Sequence, residues 1–226
     1  MNVKSVSVTV PLFGGAKTAE ELIMYCARVS NPKNQENYDT GHKLLAYCLR
    51  NGHWSVFEMA DWTVEIETSR AIAAQILRHY SFRFQEFSQR YSAANHLGDD
   101  FLEMPEMRAK HVEGNRQGSG EDIGQKTVPG TVYTVDECAR ETLRHAVSKY
   151  RELLNAGVAP ECARMVLPLC TRTKLYMKGS VRSWIHYLKA RTNYHAQKEH
   201  REPAKLIGHL FEIQFPVIAQ AMKEAQ

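Results

Sequence analysis

Three arginines share the stretch Gln75–Ser92 with a run of aromatic rings. Arg78, Arg83 and Arg90 stand among Tyr80, Phe82, Phe84, Phe87 and Tyr91, with Glu86 as the acid between them. A guanidinium is a planar fork of donors that holds a phosphate or carboxylate through two parallel hydrogen bonds. Rings beside it give faces on which a flat heterocycle can lie. The combination suits an anionic, ring-bearing ligand such as a nucleotide. The other reading is an arginine-rich structural loop whose charges pair with carboxylates elsewhere, and the stretch by itself leaves both open.

A second arginine sits where arginines are costly. Val181, Trp184, Ile185 and Leu188 follow the i, i+3, i+4, i+7 spacing of a buried helix face. At a helical step of about 100° per residue, Arg191 falls on that same stripe, while Arg182 and His186 lie together on another side. A guanidinium on an apolar stripe must meet a carboxylate, a subunit interface or a charged ligand.

Arg78 and His79, with Ser88 ten positions after Arg78, resemble the R-H-R-x7-S motif of the flavin-dependent thymidylate synthases. The third motif position is Tyr80 here. Other segments resemble that family in its own order: A-R-V-S (Ala27–Ser30), G-H-W-S-V-F-E (Gly52–Glu58), A-R-M-V-L-P (Ala163–Pro168), and the block from Val181 to Gln197 that ends R-T-N-Y-H-A-Q. The resemblance implies reductive methylation of dUMP to dTMP for de novo thymidylate synthesis. It implies FAD as cofactor, 5,10-methylenetetrahydrofolate as carbon donor, NADPH as reductant, and no cysteine nucleophile.

Carried over by motif position, Gln75, Arg78, Glu86, Phe87, Ser88, Gln89, Arg90, Arg164 and Arg191 would hold dUMP. Arg191 would be the catalytic group, stabilising charge on the pyrimidine. FAD would meet Ser30, His53, Ser55, Arg78, His79, Tyr80, Glu86, Ser180, Val181, Arg182, His186 and His195. Against the commonest family residues, Ser55 replaces Thr, Ser180 and His186 replace Asn, and Tyr80 replaces Arg. The resemblance further implies a homotetramer with sites shared between subunits.

The rest of the chain must position these groups. At 226 residues with a net charge of +4, it reads as one soluble domain over 1–226, whose mild charge permits an anionic small molecule without calling for a nucleic-acid polymer. Five cysteines without C-x-x-C spacing read as reduced thiols, and no metal site is expected. His195 and His200 would sit about 140° apart on one helix, too far round to chelate together. No signal peptide or membrane span is legible, so a cytoplasmic protein is expected.

Alternation predicts strands ending at Pro11 (Val6, Val8, Val10) and over Trp62–Ile66. Thr18 with Glu21 predicts a capping box, and Asn51-Gly52 a helix end that places His53 and Ser55 in a turn. Ser69 caps a further helix carrying Gln75 and Arg78 on one face. The segment from about 93 to 134 reads as a mobile loop, with the Gly-rich run Gly114–Gly124 at its centre. Helices are expected over about 135–156, from Pro160 to Pro168 through Arg164, and from Pro203 onward, where Leu206, Ile207, Leu210 and Phe211 form the buried side. The fold class is α+β: helix-rich, with a small, mostly antiparallel sheet.

Overall fold

The computed structural model describes residues 2–94, 101–110 and 118–225. Their packing resolves into two units. The first joins Met1–Glu67, Ile76–Gln85 and Leu175–Gln226; the second joins Thr68–Gln75 and Glu86–Lys174.

In the first unit, β1 (Asn2–Val8) lies antiparallel to β2 (Asp61–Ser69). These two strands belong to a sheet of order β1-β2-β6-β3, with β3 at Arg83–Glu86 and β6 at Arg172–Ser180. The expected alternation on β1 is broken. A bulge between Ser5 and Ser7 turns Val6 out to solvent, and Ser5 faces inward, where its Oγ accepts the Trp62 indole N–H at 2.8 Å. β2 keeps the predicted alternation, burying Trp62, Val64 and Ile66.

Thr18 and Glu21 form the predicted capping box of α1 (Ala19–Ala27). α2 (Gly41–Arg50) ends as expected at Asn51-Gly52. Gly52 adopts φ +70°, the Gly52 N–H reaches Leu49 O and the His53 N–H reaches Cys48 O, a Schellman closure that needs glycine. A single 3-10 turn, Trp54–Glu58, follows. After β6, Ser180 caps α6 (Val181–Arg191) by accepting the Ser183 N–H.

α7 (Lys198–Gln214) begins five residues before the Pro203 expected to open it. Pro203 therefore lies in the second turn, buried, where it forgoes the backbone bond to the Glu199 carbonyl. Leu206, expected inside, is 46% exposed, while Ala204, Ile207 and Phe211 carry the buried side. A final helix, α8 (Pro216–Glu224), packs on α2. The core centres on Trp62, Trp184, Phe211 and Phe215, whose ring centroids lie 4.9–6.0 Å apart, 4.9 Å between Trp62 and Trp184. The Trp184 indole donates to the Trp62 carbonyl at 3.0 Å, so this large buried ring leaves no polar atom unpaired.

The second unit opens with α3 (Arg70–Ile76), whose Ile72 N–H bonds Ser69 Oγ. Within the segment expected as a loop, β4 (Arg108–Lys110) pairs antiparallel with β5 (Ser119–Asp122). The Gly-rich run is thus a strand over part of its length, and residues 114–117 of it lie outside the described residues. α4 (Val135–Asn155) is the predicted long helix, closed at Gly157 with φ +84°. Its Tyr150 packs with Phe101, Ala94 and Ala163, and the Tyr150 hydroxyl accepts the Ala94 N–H at 2.9 Å. α5 (Pro160–Ala163) is shorter than expected and passes into a 3-10 turn at Arg164–Val166. The architecture is α+β and helix-rich with a small antiparallel sheet, as the sequence implied.

Candidate active site

The aromatic–arginine stretch leaves helical geometry at Ile76, turns, and enters β3. Phe82 is buried against Trp184 at 4.8 Å, whereas Tyr80 is 90% exposed. Arg78 stands exposed two residues past the end of α3, so the helical face predicted to join it to Gln75 is cut short. Arg83 turns back to the Tyr80 and Phe82 carbonyls and serves the turn itself.

In the first unit, Arg191 donates from Nε to His79 Nε2 at 3.0 Å. Among the described residues, its two Nη groups have no hydrogen-bond partner. Burial, and then the Arg191 charge, hold the His79 imidazole down at about 4, so it is neutral and accepts. Tyr187 sets its ring edge-on to His79 at 5.0 Å, and its hydroxyl meets His200 Nε2 at 3.2 Å. The arginine on the apolar stripe has therefore found a neutral partner in place of a carboxylate.

The other candidate cofactor residues of this unit fall into small groups. Ser30 lines an open cleft of about 470 Å³ with Arg28, Asn31, Asn34, Thr40, Lys43 and Tyr47. Arg28 bonds the Asn37 carbonyl and Thr40 Oγ1, which fixes the cleft's floor. His53, set by the Schellman closure, lies edge-on to Tyr47 at 5.6 Å. Ser55 is exposed in the following turn. His186 stands on the outer side of α6 with one ring face covered by Trp54 at 4.4 Å; that partial desolvation, and then Arg182 and Lys189, hold its pKa low. Arg182 pairs with Glu58 at 2.5 Å, tying two motif segments together. Ser180 serves as the α6 cap, and Val181 is fully buried with its N–H on the Ala60 carbonyl, so its side chain belongs to the core. His195 is exposed between α6 and α7, its ring 3.8 Å from that of Tyr194.

In the second unit, Glu86 is clamped. Its Oε1 accepts from Arg70 Nη1 and Thr173 Oγ1, each at 2.9 Å. Phe87 continues the strand edge through its N–H to the Lys174 carbonyl. The Ser88 carbonyl closes a turn onto the Tyr91 and Ser92 N–H groups. Gln89 in that turn is buried, and its Nε2 has no partner among the described residues. Arg90 pairs with Glu161 at 2.8 Å, and Arg164 Nε donates to the Glu161 carbonyl at 3.3 Å. One residue therefore gathers the arginines of two motifs.

Arg70, Thr173, Glu58, Glu161 and Trp54 were not assigned to the site from the sequence, although Trp54 and Glu58 lie in the G-H-W-S-V-F-E segment. The signal for Arg70 was its place in the first turn of the helix leading to the motif. For Thr173 it was the alternation Thr171, Thr173, Leu175, Met177, which marks a strand whose inward positions begin polar.

The family model described as thymidylate synthase complementing protein, Thy1, matches residues 12–217. The chain is 45% identical over 225 residues to a probable flavin-dependent thymidylate synthase of Paramecium bursaria Chlorella virus 1, covering 98% of this chain and 99% of that one. It is 48% identical over 226 residues to the flavin-dependent thymidylate synthase of Synechocystis, covering 99% and 100%. Among solved structures, a UMP/dUMP methylase, PolB from Streptomyces cacaoi bound with 5-Br dUMP, shares the fold at TM-score 0.77 and 23% identity over 99% of this chain and 94% of that one. Matches of this extent define an enzyme. The chain belongs to the Thy1 family of flavin-dependent thymidylate synthases.

Proposed function

We propose that this protein methylates dUMP reductively to dTMP, with 5,10-methylenetetrahydrofolate as carbon donor, NADPH as reductant and FAD as cofactor. The observation that carries the reading is Arg191: a half-buried guanidinium on an otherwise apolar helix face, anchored through Nε and with both Nη groups open among the described residues. A fork so presented suits the polar edge of a pyrimidine, and its permanent charge stabilises negative charge that develops on the ring. Arg78, Arg90 and Arg164 would supply charge-assisted bonds to the nucleotide phosphate, each worth about 1.5–3 kcal/mol. Gln75, Glu86, Phe87, Ser88 and Gln89 would shape the rest of that site. The clamp on Glu86 keeps its carboxylate in one place, and the Gln89 Nε2, unpartnered among the described residues, is a donor ready for a ligand oxygen.

The residues present fit a flavin dinucleotide. The Ser30 cleft combines Lys43 with several hydroxyl and amide groups, and exposed rings at Tyr80, Tyr47 and His186 offer flat faces. Bound there, FAD would supply hydride-transfer chemistry. The chain's own share is to bind and orient: Ser30, His53, Ser55, Arg78, His79, Tyr80, Glu86, Ser180, Val181, Arg182, His186 and His195 stand as the candidate contacts. A cytoplasmic homotetramer with shared sites belongs to the same proposal.

The test is tritium release from dUMP labelled at the 5-position, in flavin-loaded protein with methylenetetrahydrofolate and NADPH. Release that depends on all components is expected, and Arg191→Lys should lower it about 100-fold, since an ammonium cannot both reach His79 and present a fork. Flavin-loaded protein that binds dUMP but releases no tritium would sink the reading.

A further inference from the structure

We infer that His79 is a positioning residue for Arg191: a neutral imidazole, with its proton on Nδ1, that anchors the guanidinium through Nε and leaves its whole positive charge for the ligand. This deepens the proposed reading and rests on it only where dUMP enters.

The geometry sets the tautomer. An arginine Nε carries a hydrogen and can only donate, so the His79 Nε2 that lies 3.0 Å away must be the bare, accepting nitrogen. A neutral imidazole keeps its one hydrogen on the other nitrogen. The surroundings hold that state. Tyr187 stands edge-on to the ring at 5.0 Å, Phe82 at 6.4 Å and His200 at 6.3 Å. Tyr187 and His200 are buried and bonded to each other at 3.2 Å, so the wall behind His79 is fixed between α6 and α7. Arg191 is the charge that acts on His79, and a second cation on the imidazole would oppose it.

The choice of partner has a chemical consequence. A carboxylate under the same guanidinium would hold it as firmly but would neutralise it, and the pair would present little field to an anion. An imidazole supplies direction without charge. Tyr187 precedes Arg191 by four residues on α6, so one helix face carries both the wall and the fork. The flavin contact implied for His79 by motif position is then a second use of the ring, and the anchor is the one its Nε2 performs.

The first test needs no substrate. Nitrogen-15 NMR of the full-length protein, with histidine and arginine labelled, should find His79 neutral with Nε2 unprotonated, and Arg191→Gln should disturb that signal. A protonated Nε2, or an imidazolium at neutral pH, would overturn the assignment. The second test compares His79→Gln, whose side-chain oxygen can still accept, with His79→Leu, which cannot. In flavin-loaded protein, the leucine variant should weaken dUMP binding about 10- to 100-fold, and the glutamine variant should restore most of that loss. Equal dUMP affinity in both variants, with only flavin binding changed, would overturn it. If the native protein shows the expected tautomer and binds no dUMP, the anchor stands and the substrate reading fails.

Discussion

Glu20 offers a sharp test of how the first unit is held together. Its carboxylate is buried on α1, and Oε1 accepts the Ile218 N–H at 2.7 Å, in the first turn of α8. One helix therefore supplies the cap of another almost two hundred residues away. Burial pushes the Glu20 carboxyl up from 4.5 to about 7, against the pull of the Ile218 and Val217 N–H groups. Below pH 4.5 the group is neutral in both folded and unfolded chains. Between 4.5 and about 7 the unfolded chain releases its proton while the folded chain keeps it, so stability falls as pH rises, then levels off. At about 1.4 kcal/mol per pH unit, the ionised carboxylate costs the fold about 3 kcal/mol. Glu20→Gln keeps an acceptor for Ile218 and has nothing to ionise. Urea unfolding of both proteins at about pH 5 and about pH 8 isolates the term from every other titration. The variant should gain about 2.5 kcal/mol on the native protein between those two conditions, the unfolded carboxyl being already partly ionised at pH 5. A difference that stays flat with pH would refute the reasoning, because then Glu20 does not change its proton affinity on folding.

Three further outcomes follow from the same structure. A methyl group at Gly179 would fall 2.5 Å from Phe82 Cδ1, so Gly179→Ala should cost about 1–3 kcal/mol and lower the melting temperature by several degrees; an unchanged midpoint would show that Phe82 moves freely. Trp184→Phe removes the donor to the buried Trp62 carbonyl and part of a core ring, and should destabilise by about 2–4 kcal/mol in denaturant titration. Tyr80→Arg restores the motif cation at a site 90% exposed and should tighten FAD binding about tenfold by flavin-fluorescence quenching; an identical dissociation constant would remove position 80 from the flavin site.

The sequence was most legible where one physical constraint acts alone. Helix ends at Asn51-Gly52 and Gly157 were readable because only glycine adopts the positive φ of those closures cheaply. The cost of Arg191 on an apolar stripe pointed to a special partner; the candidates were a carboxylate, a subunit interface or a charged ligand, and its Nε meets a neutral imidazole from another segment. Its neutrality is a product of burial, which no local pattern reveals. β6 went unread because Thr171 and Thr173 occupy inward positions; their hydroxyls find the Pro168 carbonyl and Glu86, and those bonds exist only once the chain has folded. The bulge that turns Val6 outward is likewise set by what Trp62 needs from Ser5. Pro203 looked like a helix start and lies inside one, since a proline early in a helix leaves the same signature as a proline at its first residue.

The first unit is stitched from three stretches of chain with the second unit's residues threaded between them. That order has a consequence in time. The Ile218 N–H that meets Glu20 is made 198 residues after it. At the usual pace of about 5–20 residues per second, synthesis leaves the α1 carboxylate waiting on the order of 10–40 s for its partner. For most of that interval Trp62 also lacks Trp184 and Phe211, so the early strands emerge with their apolar faces bare. The early strands of the first unit are covered only by helices made much later in the chain.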